Sequence, residues 1–74
     1  MSGDAQNPVF PEILKSFRKL RGWSLRELAR LSGLSNPILS QYENGYAEPK
    51  MSSLIKLADT FGVTIDELVG RKTR

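Results

Sequence analysis

The chain contains no cysteine and no histidine. Without cysteine there is no disulfide framework and no thiolate metal site. Without either residue, zinc binding and general acid–base chemistry lose their usual side chains. Carboxylates remain, but 74 residues give little wall for a pocket, and no nucleophile–base pair or metal-ligand spacing stands out. The sequence therefore predicts no enzyme, no catalytic residue, no metal and no cofactor. No apolar run approaches the roughly 20 residues that a membrane-spanning helix requires, so no membrane partner is expected. The start, Met1 to Asn7, is polar and carries Asp4. It lacks the basic start and apolar stretch of a signal peptide, which predicts a cytoplasmic protein. Repeats and low-complexity tracts are absent, and no segment reads as a strand.

What is present is positive charge. Eleven Lys and Arg stand against eight Asp and Glu, for a net charge of +3 and a pI near 9.6. The distribution is uneven. Lys15, Arg18, Lys19, Arg21, Arg26 and Arg30 crowd the stretch from Glu12 to Arg30, opposed there by Glu12 and Glu27, while Asp59, Asp66 and Glu67 gather later. One basic face suits an anionic partner such as nucleic acid. The plainer reading of the same charges is a solvated surface.

Five helical segments follow a polar tail at 1–8, which is expected to be flexible. Pro11 suits a first helical turn, and Ile13, Leu14, Phe17 and Leu20 recur at helical spacing until Gly22. Ser24 reads as an N-cap, with Glu27 completing a capping box. Leu25, Leu28 and Ala29, with Leu31 beside them, form the apolar side of this second helix, which stops at Ser32-Gly33. Ser35 caps a third helix with Asn36-Pro37 in its first turn and Leu39 and Tyr42 on one face. Asn44-Gly45 ends it. Ser52 or Ser53 is the expected start of a fourth helix, with Leu54, Leu57, Ala58 and Phe61 as its buried stripe. Thr64 caps a fifth, with Glu67 in a second capping box and Ile65, Leu68 and Val69 apolar. A basic tail occupies 71–74. Trp23 reads as a packing aromatic rather than a base-stacking platform.

The informative stretch is Ser24 to Glu43. Two helices of about eight residues are joined by a turn around Gly33, too short for them to lie antiparallel side by side, so they cross. Such a unit places its second helix in the DNA major groove, which is about 12 Å wide.

The run Ser24-Leu-Arg-Glu-Leu-Ala-Arg-Leu-Ser-Gly-Leu-Ser resembles the first half of the phage repressor/Cro-type helix-turn-helix, the Xre family. Ile38-Leu-Ser-Gln-Tyr-Glu-Asn-Gly45, Pro49 and the run from Leu54 to Leu68 resemble the second half. The resemblance covers roughly Phe10 to Gly70. It implies an all-α, compact five-helix repressor-like bundle over residues 9–70 that binds double-stranded DNA as a sequence-specific transcriptional regulator, acting as a repressor. The recognition helix would be about 35–43. Asn36, Pro37 and Gln41 match positions that approach base edges, where an amide pairs bidentately with adenine and proline makes apolar contact. Asn36 also reads simply as a helix-start residue. Ser40, Asn44 and Lys50 match positions that touch the DNA backbone. The family often has glutamine where this chain has Leu25, which leaves Ser24 or Arg26 as substitutes. Arg18 and Glu43 match a pair that orients the recognition helix.

Relatives of this kind bind palindromes as dimers, with half-sites about one helical turn apart. The stretch Ile65 to Arg74 is the candidate contact, and a weak homodimer, tighter on a palindromic operator, is expected. Two other roles fit the same residues: an antitoxin, or the DNA-binding part of a larger regulator. A helical protein-interaction module predicts an apolar outer patch, whereas the third helix shows amides and hydroxyls.

Overall fold

In the computed structural model residues 9–71 are described; the expected tail at 1–8 and, apart from Arg71, the expected tail at 71–74 lie outside them. Five helices run in order: α1 (Val9–Leu20), α2 (Leu25–Ser32), α3 (Asn36–Glu43), α4 (Met51–Phe61) and α5 (Ile65–Val69), with no strand among the described residues. Each contributes one leucine with no exposed surface: Leu14, Leu28, Leu39, Leu57 and Leu68. Burying such a side chain stabilises the fold by about 1.5–3 kcal/mol. Tyr42, Leu54, Ala58 and Phe61 complete the buried core. Helix α1 packs on α3 and α5, α2 on α3 and α4, and α4 on α5.

The helix-turn-helix is α2, three connecting residues and α3. Gly33 takes a left-handed conformation at φ 80°, and its N–H donates to the Ala29 carbonyl. A side chain would be strained at that φ. The buried Ser32 hydroxyl accepts from the Leu34 N–H at 3.2 Å, which closes the turn from inside. Ser35 then caps α3 by accepting from the Ile38 N–H.

Three expectations are corrected. The Ser24 hydroxyl accepts from the Glu27 N–H, but the Glu27 carboxylate turns away to Arg30, so α2 has half a capping box. The guanidinium at i+3 competes with the backbone donor for the same carboxylate. Helix α4 begins at Met51, not at a serine; its cap is Lys50, which makes no side-chain cap bond because an ammonium has no acceptor. Ser52 and Ser53 lie inside the helix. Leu20 is 80% exposed and Leu31 40%. Leu20 shares a helix face with Ile13, one heptad earlier; Ile13 is covered by the chain at Gly70, and Leu20 has no such cover.

Arg21, though exposed, folds back against the aromatic side chains. Its guanidinium donates to the Phe61 carbonyl at 2.6 Å, at the end of α4, and to the Phe17 carbonyl at 3.3 Å. It lies 5.0 Å from the ring centre of Phe61, 5.7 Å from that of Trp23 and 5.9 Å from that of Phe17. Trp23 stacks on Phe61 with centroids 5.7 Å apart. This cation and three rings join α1 to α4.

Candidate nucleic-acid interface

Helix α3 divides sharply. Leu39, Tyr42 and Glu43 are buried, whereas Asn36, Pro37, Gln41 and Asn44 are exposed and Ser40 is half-buried. Positions 36, 37, 40, 41 and 44 follow i, i+1, i+4, i+5 and i+8, one stripe of a helix turning 100° per residue. No side-chain hydrogen bond engages Asn36 or Gln41 among the described residues. Both amides keep a donor and an acceptor available. The stripe bears no charge, for α3 contains no Lys or Arg.

Anion-binding capacity sits at the start of α2. Glu27 and Leu28 donate their N–H groups to Ser24. The N–H groups of Leu25 and Arg26 are the remaining first-turn donors, at the positive end of the helix dipole. The Ser24 hydroxyl accepts one bond and retains its hydrogen. Leu25 supplies no polar side chain. Arg26 is exposed and forms no ion pair among the described residues. At α3 proline has no N–H and Ile38 is claimed by Ser35, so Asn36 keeps the one unclaimed N–H of that first turn.

The charged surface is thinner than the sequence count. Arg18 and Arg30 are paired and Arg21 is held in the aromatic seam. Arg30 binds Glu27 through both carboxylate oxygens, which holds that carboxyl below its ordinary range. Lys15, Lys19, Arg26 and Lys50 are exposed and unpaired among the described residues. Lys50 stands at the start of α4. Asn44 is engaged locally. Its amide donates to the Ser40 carbonyl at 2.9 Å and weakly to the Ser40 hydroxyl at 3.4 Å, closing the end of α3.

The structure brings Arg18 and Glu43 together. Arg18 Nε donates to Glu43 Oε2 at 2.7 Å and Nη2 to Oε1 at 3.0 Å, while Nη1 donates to the Trp23 carbonyl at 2.8 Å. The side chains are 14% and 5% exposed. Hydrogen bonding to Glu43 pushes the guanidinium pKa up against the opposing effect of burial. One arginine on α1 thus ties the α1–α2 turn to the end of α3.

A second tether has no signature in the sequence. The Tyr42 hydroxyl donates to the Ser53 hydroxyl at 3.0 Å, both buried. Tyr42 reads from sequence as a core aromatic and Ser53 as a possible cap; eleven residues of separation carry no periodic signal that pairs them. Nor does the sequence pair Arg21 with Phe61. Among the described residues no three acidic side chains gather as metal ligands, and no helix is long and apolar enough to cross a membrane.

A family model described as helix-turn-helix, HTH_3, matches residues 14–68. The transcriptional regulator AnsR of Bacillus subtilis is 42% identical over 59 residues, covering 80% of this chain and 51% of the relative. The cryptic phage CTXphi transcriptional repressor RstR of Vibrio cholerae is 37% identical over 60 residues, covering 81% and 54%. The chain spans about half the length of these curated relatives. Among solved structures, the restriction-modification controller C.AhdI of Aeromonas hydrophila matches with a TM-score of 0.79 at 30% identity, covering 86% of this chain and 97% of that one. The N-terminal DNA-binding domain of SinR from Bacillus subtilis matches with a TM-score of 0.82 at 28% identity, covering 92% and 100%.

Proposed function

Because the chain belongs to the helix-turn-helix family HTH_3, we propose that it binds double-stranded DNA sequence-specifically and regulates transcription as a repressor, with α3 in the major groove. The observation that carries this reading is the uncharged stripe of α3, whose amides at Asn36 and Gln41 have no side-chain partner in the fold. On a helix held this firmly, the two amides present their donors and acceptors at fixed positions. Gln41 and Asn36 read base edges, and Pro37 makes apolar contact. Ser24, Arg26, Ser40 and Lys50 hold phosphates, together with the open N–H groups at the start of α2. Asn44 joins them by way of the helix end that it closes. Arg18 and Glu43 orient α3.

A single module of this kind buries roughly 600–1,000 Å² on DNA, which gives weak binding at physiological salt. The protein therefore acts as a weak homodimer, tighter on a palindromic operator, with α5 and the chain after it as the contact. It works in the cytoplasm. RstR is named a phage repressor, and that likeness favours repression. The match to about half of each curated relative favours a second use of the same module, as the DNA-binding part of a larger regulator.

The test is selection from random duplexes at about 100 mM salt, where purely electrostatic binding is strongly weakened. An enriched palindrome is the expected result. Recovery of duplexes without sequence preference overturns the base-reading roles of Asn36 and Gln41.

A further inference from the structure

We infer that the buried Tyr42–Ser53 hydrogen bond is a positioning device that sets the roll of α3, and so the sequence discrimination of the domain. The inference rests on the DNA-binding reading above. Tyr42 and Glu43 are consecutive, hence about 100° apart around the helix. Glu43 is drawn to Arg18 on α1 by two hydrogen bonds. Tyr42 reaches the other way, to Ser53 on α4, at 3.0 Å. A helix tied on one side can rotate about that tie; a second tie in another direction removes the rotation. The Tyr42 ring also meets the edge of Phe10, with centroids 5.9 Å apart and planes at 67°. Gln41, the neighbouring residue, faces outward. Its amide moves with any roll that Tyr42 permits.

The bond's direction matters more than its strength. Replacing both partners of a buried hydrogen bond by apolar groups of similar shape is nearly neutral for stability. Packing tolerates small rotations, whereas a hydroxyl pair accepts a narrow range of distance and angle. Of the proposed phosphate contacts, Ser40 and Asn44 ride on α3 and are uncharged, while Ser24, Arg26 and Lys50 lie off it, so the cations that dominate general affinity do not move with its roll. Loss of the hydroxyl pair should degrade base reading and leave general DNA affinity intact.

The experiment compares the wild type, Tyr42→Phe, Ser53→Ala and the double variant. Each is measured for thermal unfolding and for binding, at one salt concentration, to the selected operator and to a scrambled duplex. Each single change is expected to lower the operator-to-scrambled affinity ratio about tenfold, the size of one loosened base-edge contact. Affinity for the scrambled duplex stays within about twofold, since phosphate contacts carry it. The double variant regains stability but not the ratio. If the ratio of Ser53→Ala and of the double variant stays within about twofold of wild type, the pair is merely structural and the inference is overturned. These two variants decide the matter even if Tyr42→Phe fails to fold. A wild-type domain that enriches no sequence overturns the DNA-reading role, and this inference with it.

Discussion

Arg18, Arg21 and Arg30 carry the same charge and do three different things. Arg18 is held by a buried carboxylate, Arg21 by three rings and two carbonyls, and Arg30 by a half-buried glutamate. The Arg18–Glu43 pair invites the sharpest test. Removing Glu43 strands a mostly buried guanidinium, so Glu43→Ala should cost about 3 kcal/mol in urea unfolding, whereas Arg18→Met combined with Glu43→Leu should recover most of it. A loss in the double variant equal to the sum of the separate Arg18→Met and Glu43→Leu losses would mean that the pair's charges do not interact. Gln41→Ala makes the contrasting prediction: unfolding unchanged, and operator affinity weakened by about 1–3 kcal/mol, the value of a bidentate base contact. Sequence made Arg18 and Glu43 legible only through family resemblance. Arg21 was illegible, because a cation's choice between water, DNA and an aromatic seam depends here on Phe61, which the fold brings to it from forty positions away.

At the level of the helix, two similar motifs ended differently. Thr64 and Glu67 form a full capping box: Glu67 donates its N–H to the Thr64 hydroxyl, and Thr64 donates its N–H to the Glu67 carboxylate. Ser24 and Glu27 form only the first of those bonds, since Arg30 takes the carboxylate. The motif announces where a helix starts and is silent about competitors one turn on. One fully buried leucine in each helix was readable because burial repeats with the helical period, but the same period also drew in Leu20 and Leu31, which are exposed. The start of α4 was not, because Lys50 leaves it without a side-chain cap. Lys50→Ser should supply that cap and stabilise the domain by about 1 kcal/mol in thermal unfolding. The same change should reduce the salt dependence of DNA binding by about one phosphate's worth. A stabilised variant with an unchanged salt slope would remove Lys50 from the interface.

For the molecule as a whole, closure depends on α5 meeting α1. Gly70 sits at φ 78°, and a methyl group there would run into Val9 and Ile13. Gly70→Ala should destabilise by about 1–2 kcal/mol, from left-handed strain and overpacking, with the change read in thermal unfolding. Charge sets a second whole-molecule property. Arg26 and Lys50 are two unpaired cations per copy among the proposed contacts, hence four in a dimer. At about 0.9 ion per phosphate neutralised, the logarithm of operator affinity should fall against that of salt with a slope near −4. A slope twice as steep would bring Lys15 and Lys19 into the interface.

The two sides of α3 also bear on inheritance. Leu39, Tyr42 and Glu43 hold the helix from within, while Asn36, Pro37 and Gln41 project from it without side-chain hydrogen bonds to the rest of the described chain. Exposed substitutions away from such ties usually change stability by no more than about 0.5 kcal/mol. On the proposed base-reading roles of these three residues, lineages carrying this fold should exchange one operator for another in single steps, each intermediate still folded. Two copies in one cell can diverge into regulators that ignore each other's sites without any matching change in the core.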